Sequence, residues 1–350
     1  MNKLLSFSFV TAAIALVACS DNKSSGASST CSNYAAALQD ASSRCSGASR
    51  GLPADRLAAE SSRIATLCTN ALNAPGSGIA VSAVDACAAR IRETCREDSA
   101  CEEIKNARGS LPDGAACGTD GQCSGGDCKK SSSGDTSCGT CVALAAIGAP
   151  CGSGMPSCVK GASCASSGAG GASMCVARAT NLAEGDTCYD PKVPSSSGQC
   201  ASGLTCKLGS ASAVVKCTKR AGAGEPCSSS LDCTTDLACI GGKCGARLAD
   251  GAACKTGTEC ASGACPTTTK TCAAPTYGPA GASCNGQDLR CLRGDCATPG
   301  DTATGTCVDP LADGAACTKA GTNSSKGPYC DRYATCEKGT CQLFDPATCK

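Results

Sequence analysis

The sequence contains no histidine and no tryptophan. Without an imidazole there is no Ser-His-Asp triad, no Cys/His nucleophilic pair, no common zinc site and no c-type haem attachment. Aromatic side chains of every kind are scarce: three phenylalanines, two of them at Phe7 and Phe9, and five tyrosines in 350 residues. Aromatic residues dominate the energetics of ordinary cores, so an ordinary core is not what holds this chain. An excess of one charge is missing as well, with 31 basic against 30 acidic side chains. Such a chain has no long-range field to steer it to nucleic acid or anionic lipid. Beyond residue 18 no apolar run is long enough to cross a bilayer. What stands in place of all these is cysteine, 37 of them, at a density that marks a disulfide scaffold in an oxidising compartment.

The N-terminus names the compartment. "MNKLLSFSFVTAAIALVAC" carries Lys3, an apolar stretch from Leu4 to Ala18 and then Cys19. A charged start, a short apolar segment and a small-residue cleavage site make a secretory signal too short to be a membrane span. Leu16-Val17-Ala18-Cys19 resembles the lipobox of bacterial lipoproteins. That resemblance implies cleavage after residue 18 and acylation of Cys19, hence a lipid anchor in the bacterial cell envelope. Multiple acyl chains give lasting attachment where one is marginal. Ser20 rather than Asp after the lipidated cysteine implies the outer membrane, by analogy with enterobacterial sorting. Removing the leader leaves 30 basic and 30 acidic side chains, and setting Cys19 aside leaves 36 cysteines, an even number that fits a closed disulfide framework. Residues 19–30 then read as the lipidated cysteine followed by a flexible Ser-rich tether.

Residues 31–109 read as a small helical domain. Cys31, Tyr34, Ala35, Leu38, Ala41 and Cys45 recur at helical steps, as do Leu57, Ser61, Ile64, Leu67, Cys68 and Leu72 after Pro53. Val84, Cys87, Ala88, Ile91 and Cys95 form a third stripe, with Ser82 and Asp85 spaced as a capping box. Ser99 and Glu102 repeat that spacing before a short fourth helix, and Gly109 suits its C-terminal stop. The six cysteines Cys31, Cys45, Cys68, Cys87, Cys95 and Cys101 mostly fall on apolar stripes and allow up to three internal disulfides.

From residue 110 the period changes to cysteine itself. Seven segments open with Gly-x-x-Cys, at successive spacings of 34, 37, 39, 27, 30 and 33 residues. "LADGAAC" appears at Leu248–Cys254 and again at Leu311–Cys317, and "LPDGAAC" at Leu111–Cys117. Repetition at this period means an array. The seven units span about 110–144, 145–181, 182–220, 221–247, 248–277, 278–310 and 311–350. Their frameworks are Cys117, Cys123, Cys128 and Cys141; Cys151, Cys158, Cys164 and Cys175; Cys188, Cys200, Cys206 and Cys217; Cys227, Cys233, Cys239 and Cys244; Cys254, Cys260, Cys265 and Cys272; Cys284, Cys291, Cys296 and Cys307; Cys317, Cys330, Cys336 and Cys341. Cys138 and Cys349 are extras.

A unit of some thirty residues is too small for an apolar core to suffice. Two disulfides, each closing a loop of a dozen or so residues, contribute roughly 5–6 kcal/mol by constraining the unfolded chain. Asp-Gly at Asp113-Gly114, Asp250-Gly251 and Asp313-Gly314 reads as a turn with glycine at positive φ. A second signal, glycine two residues before the fourth cysteine, recurs at Gly139, Gly242, Gly305 and Gly339. The expected product is an array of small disulfide-rich units holding short β-ribbons and turns and little other regular structure. Compactness favours interleaved pairing, first to third and second to fourth. The spacing in "GEPCSSSLDCTTDLACIGGKC" resembles the Dickkopf N-terminal cysteine-rich pattern. The whole plan resembles cysteine-rich repeat lipoproteins of myxobacterial type: lipobox, helical cysteine domain, "DGAAC" units. That resemblance implies an envelope-anchored protein and brings no Wnt-antagonist activity with it.

Three short motifs invite chemistry. Cys138-Gly139-Thr140-Cys141 has the spacing of thiol–disulfide exchange sites, but Cys141 also closes the first unit, which makes Cys138 an insertion. Arg293-Gly294-Asp295 lies between Cys291 and Cys296 and resembles the constrained loops of integrin ligands, although Gly126-Asp127 stands at the matching place before Cys128. Ser20 and Lys23 form an S-x-x-K only by chance. Zinc held by four thiolates requires thiols that an oxidising compartment removes. The sequence therefore predicts no cofactor, no metal and no enzyme. It predicts a lipid-anchored stalk or binding surface for a protein or glycan partner. The rival is a protease inhibitor presenting a braced loop, for which residues 190–198, "DPKVPSSSG", are the candidate.

Overall fold

Each repeat is organised by the glycine three residues before its first cysteine. In the computed structural model Gly114, Gly148, Gly185, Gly224, Gly251, Gly281 and Gly314 all have φ between +81° and +90°. A Cβ at any of them would meet nothing within 4 Å, so backbone conformation, not space, demands glycine there. In "LADGAAC" the amide of Ala252 donates to the carbonyl of Ala249 at 3.1 Å, closing the turn. The Gly251 amide then donates to Cys272 O at 2.7 Å, and Cys272 N donates back to Ala252 O at 2.8 Å. Leu248 exchanges the same kind of bonds around the second cysteine, donating to Glu259 O and accepting from Ala261 N, both at 2.7 Å. The seven residues thus tie the second and fourth cysteines to the place where the first enters. Gly251→Ala is expected to cost about 1–2 kcal/mol, the price of forcing a Cβ into the left-handed region, and Gly251→Asn less. Amide exchange within residues 248–277 measures both.

The structure describes residues 18–46, 52–94, 99–130, 137–152, 155–166, 173–179, 182–190, 198, 200–201, 203–206, 214–234, 236–286, 288–297, 304–318 and 329–350. Residues 1–17 of the expected leader, which runs to residue 18, lie outside them, as does nearly all of the 190–198 loop.

In six units the third and fourth cysteines face each other across an antiparallel ribbon, as in Cys128↔Cys141, Cys239↔Cys244 and Cys336↔Cys341. Directly opposed residues point to one face of a ribbon, so both sulfurs drop toward the turn that carries the first and second cysteines. The disulfides are accordingly first to third and second to fourth in every unit: Cys117–Cys128 with Cys123–Cys141, and so on to Cys317–Cys336 with Cys330–Cys341. The two bonds pack on each other, with the sulfurs of Cys117, Cys123 and Cys141 within 4.8 Å of one another. In the fifth unit the buried core is Cys254, Cys260, Cys265 and Cys272, against which Leu248 packs. These sulfurs do the work that apolar side chains do in a larger domain. The chain is a disulfide-rich repeat array of short ribbons and turns, preceded by a helical region.

Among the described residues that region has four α-helices, α1 (Ala18–Ala41), α2 (Ala54–Asn73), α3 (Val81–Thr94) and α4 (Ser99–Lys105). α2 starts after Pro53, as the sequence predicts. Disulfides Cys31–Cys68 and Cys87–Cys101 join α1 to α2 and α3 to α4. Cys95 and the side chain of Cys45 lie outside the described residues. The predicted flexible tether is a correction, because residues 19–30 belong to α1. Ala27 and Thr30 are buried against the other helices, and Thr30 Oγ1 donates to Asp85 Oδ2 at 3.1 Å. Packing there overrides the weak helix propensity of a Ser-rich run. Asp85 therefore serves Thr30, and Ser82 lies inside α3 rather than before it. Gly109 also has a different role. A Cβ there would lie 2.1 Å from Gln122 O, so glycine lets the helical region and the first unit touch backbone to backbone.

The array does not run away from the helices. The first unit docks through Gly78 N to Gly121 O (2.8 Å) and Gln122 Nε2 to Pro75 O (2.9 Å). The last unit returns onto α2, where Arg63 grips Asp313 with both terminal nitrogens at 2.8 and 2.9 Å and Asn70 Nδ2 reaches Phe344 O at 3.2 Å. Cys138–Cys349 then joins the first unit to the C-terminus across 211 residues of sequence. Cys138 and Cys141 therefore belong to different disulfides and are not a redox pair with each other.

Candidate binding groove at the seam

Three parts of the chain meet where α2, the sixth unit and the last unit converge. Arg56 and Glu60, one turn apart on α2, present opposite charges to the seam. Arg56 Nη2 lies 3.2 Å from Asp331 Oδ1 and its Nε 3.6 Å from Glu60 Oε1. Arg332 Nη1 donates to both oxygens of Glu60 at 3.0 and 3.1 Å. From the sixth unit, Arg293 Nη2 reaches Asp331 Oδ2 at 3.2 Å. The side chains of Arg56, Glu60 and Asp331 are at most 10 % exposed, while Arg293 and Arg332 keep 45 % and 60 % of theirs in solvent. The inner charges are thus committed to each other, and the outer two arginines offer their remaining edges to whatever approaches.

Burial alone would raise the Asp331 carboxyl, but hydrogen bonds from Arg56, the Arg332 amide and Arg293 outweigh it and hold it below the ordinary carboxylate range. Burial likewise works against the Arg332 cation, and Glu60 more than compensates, leaving its pKa raised. Arg63 is raised by its hydrogen bond to Asp313. Tyr329 is pushed upward first by burial and then by the Asp295 carboxylate, so its phenol stays neutral far into alkali.

Two clefts open on this network and share Glu60 and Arg332. One, of about 500 Å³, is lined by Tyr34, Leu38, Ile64 and Leu67 of the helices and Tyr333 of the last unit. The other, of about 680 Å³, is lined by Tyr277 at the end of the fifth unit, Arg290 and Arg293 of the sixth, Tyr329 of the last, and Leu52 and Arg56. Of the five tyrosines in the chain, four lie here. Tyr and Arg are the residues that dominate binding hot spots, and this protein concentrates its few aromatics at one seam. Together the clefts make a two-lobed groove, one lobe largely apolar and the other cationic and polar.

The Arg293-Gly294-Asp295 tripeptide lies in the second lobe. Gly294 has φ of 70°, and a Cβ would meet Val308 O at 2.0 Å and the Tyr329 hydroxyl at 2.8 Å. Asp295 begins a strand opposite Val308 and is exposed. Arg293 is turned toward Asp331, so the tripeptide forms part of the seam. The matching Asp127 of the first unit instead accepts from Ser157 N at 2.6 Å and couples that unit to the second.

The residue just before each second cysteine carries a signal that motif reading missed. In the first, fourth and fifth units it is Gln122, Asp232 or Glu259, whose buried side chain accepts backbone amides of its own unit: Gly118 and Thr119, Ser228 and Ser229, and Lys255. In the sixth and last units the same position holds Arg290 and Tyr329, and both line the groove. No family model matches this chain, and neither a curated protein nor a solved structure does.

Proposed function

We propose that this is a lipid-anchored protein of the bacterial cell envelope, outer-membrane sorted, whose disulfide-stapled array presents a non-enzymatic binding groove. Cys19 is the residue that carries the lipid in this reading, on the strength of Leu16-Val17-Ala18-Cys19. Among the described residues no helix is long and apolar enough to cross a membrane. The observation that carries the binding role is the gathering of four of five tyrosines with partly exposed Arg293 and Arg332 at a seam of three chain segments. Such a groove suits a protein or glycan segment that sets an acidic group beside an aromatic or aliphatic one. A rigid stapled frame lowers the ordering cost of binding. The return of the last unit onto α2 favours this reading over an extended stalk. The inhibitor reading rests on the 190–198 loop and gains no support from the groove.

The absence of tryptophan makes the test simple, because tyrosine emission then reports mainly on the groove. Titration with short peptides pairing Glu with Phe, and with uronic-acid oligosaccharides, is expected to change that emission saturably. Combined Arg293→Ala and Arg332→Ala substitution is expected to weaken the response at least tenfold, about 1.4 kcal/mol. A response equal in both proteins, or none to any probe, refutes the groove as the site. Separately, metabolic acyl labelling is expected in the native chain and lost in Cys19→Ser.

A further inference from the structure

Among the disulfides of the described residues, Cys138–Cys349 alone joins two repeats. Every other bond in the array closes a loop within one unit, with separations of 11 to 19 residues, and each is packed against a second disulfide. The 138–349 bond spans 211 residues and stands alone. Both of its residues are half-buried, whereas Cys117, Cys123, Cys128 and Cys141 beside it are at most 4 % exposed. We propose that Cys138–Cys349 is a thiol–disulfide exchange site, a clasp that a dithiol partner opens and a small-molecule disulfide recloses while the units stay folded. This inference is independent of what the groove binds.

Two physical differences separate the clasp from the framework. A reduced framework pair remains tethered by a short loop and by its neighbouring disulfide, so its two thiols stay at high effective concentration and the bond reforms. A reduced clasp is held by the docking of the C-terminal segment onto the first unit and onto α2, where Asn70 Nδ2 reaches Phe344 O. That docking is specific and modest. Lys130 Nζ sits 5.3 Å from the Phe344 ring centroid, and Glu337 accepts from Ser137 N at 2.7 Å and from its hydroxyl. A Cβ at Gly118 would lie 2.7 Å from Pro346 Cα, which shows how closely the segment seats. These contacts hold Cys349 opposite Cys138 well enough to guide reclosure, without the chelation that protects the other bonds.

In the reaction, a thiolate of the dithiol attacks one sulfur and forms a mixed disulfide, and the other cysteine leaves as a thiolate that takes up a proton. The second thiol of the dithiol then displaces the first cysteine. The dithiol ends as its own disulfide, and two electrons and two protons pass to Cys138 and Cys349. In reclosure one of the two thiolates attacks a small-molecule disulfide, whose halves leave in turn as thiols as the Cys138–Cys349 bond re-forms.

The test is graded reduction of the full chain with a dithiol such as dithiothreitol, acid quench, alkylation and peptide mapping. Cys138 and Cys349 are expected to label at roughly tenfold lower dithiol than any framework cysteine, a difference of about 30 mV, and to lose label when the dithiol is exchanged for oxidised glutathione before quenching. Framework cysteines labelling first or together with them overturns the proposal, as does failure to reclose. The double variant Cys138→Ser with Cys349→Ser supplies a second reading. It is expected to keep the fourteen framework bonds of the seven units while amide exchange over residues 344–350 accelerates at least tenfold. Unchanged exchange there means the bond locks nothing, and loss of the framework bonds means it is structural; either overturns the proposal.

Discussion

Removing the Cys260–Cys272 bond by double serine substitution is expected to unfold the fifth unit and leave the first and last standing. The reason is compositional. That unit's buried core consists of its four cysteines with Leu248 against them, and its ribbon is reduced to single bridges such as Ala253↔Thr271. Loss of a native disulfide from a small domain costs about 2–5 kcal/mol, and a segment of this size has no second core to absorb it. Two serine hydroxyls would also be left where sulfur now packs, without the partners a buried hydroxyl requires. Amide protection should vanish across residues 248–277, while units that keep both bonds retain theirs, because neighbouring repeats contribute only interface terms. Leu248→Ala, which trims the apolar cover but leaves both bonds, should be milder, at about 2–3 kcal/mol. Complete reduction is the limiting case, and all seven units should lose their fixed structure together.

Asp331→Ala is expected to be the most damaging single substitution outside the disulfide framework. It strips Arg56, only 10 % exposed, of its 3.2 Å partner and releases Arg293 as well. Arg56 then keeps Glu60, at 3.6 Å and shared with Arg332, so a buried cation is left undercompensated; breaking a buried pair by removing one member costs about 3–5 kcal/mol. The pH dependence follows from the same contacts. Asp331 is held below its unfolded value, so the unfolded chain takes up the proton first as acid is added. The stabilisation is complete above the unfolded carboxylate value near pH 4 and is lost as pH falls through the lower folded value. Thermal melts between pH 7 and pH 2 should therefore show the wild-type protein converging on Asp331→Ala only at the acid end. Two curves that run parallel throughout would remove the carboxylate from the argument. The seam should loosen before the units unfold, since the disulfides carry no such pH dependence.

How far the residues announce this architecture depends on the range over which each signal acts. The repeat, its turn and its pairing are local. Positive φ at Gly251 and its counterparts follows from a Gly-x-x-Cys spacing that any reader can count, and opposed third and fourth cysteines follow from ribbon geometry. The glycine before the fourth cysteine proves to have two causes. Gly242 and Gly339 turn hairpins at φ of 82°, whereas a Cβ at Gly139 or Gly305 would strike a carbonyl oxygen across the ribbon at 2.5 or 2.4 Å. One motif thus hides two constraints. The extension of α1 through residues 20–30 is invisible in a run of Ser, Gly and Asn, because what orders it is burial of Ala27 and Thr30 by distant helices. Closure through Cys138–Cys349 is similarly illegible. An unpaired cysteine in the first unit and another at the C-terminus state that each needs a partner and not that they are each other's. The groove was half legible. Arg290 and Tyr329 visibly differ from their counterparts, standing where other units place a capping carboxylate or amide. Arg56 and Glu60, in contrast, look on α2 like an ordinary i,i+4 surface pair.

The central claim is a set of interleaved two-disulfide units closed over the helices by the long-range Cys138–Cys349 bond. The most direct measurement is disulfide mapping of the unreduced protein by proteolysis and mass spectrometry, under conditions that block exchange. The expected map pairs first with third and second with fourth cysteine in all seven units and links the peptide containing Cys138 to that containing Cys349. Sequential pairs within units, or Cys138 joined to Cys141 or to another molecule, would contradict it.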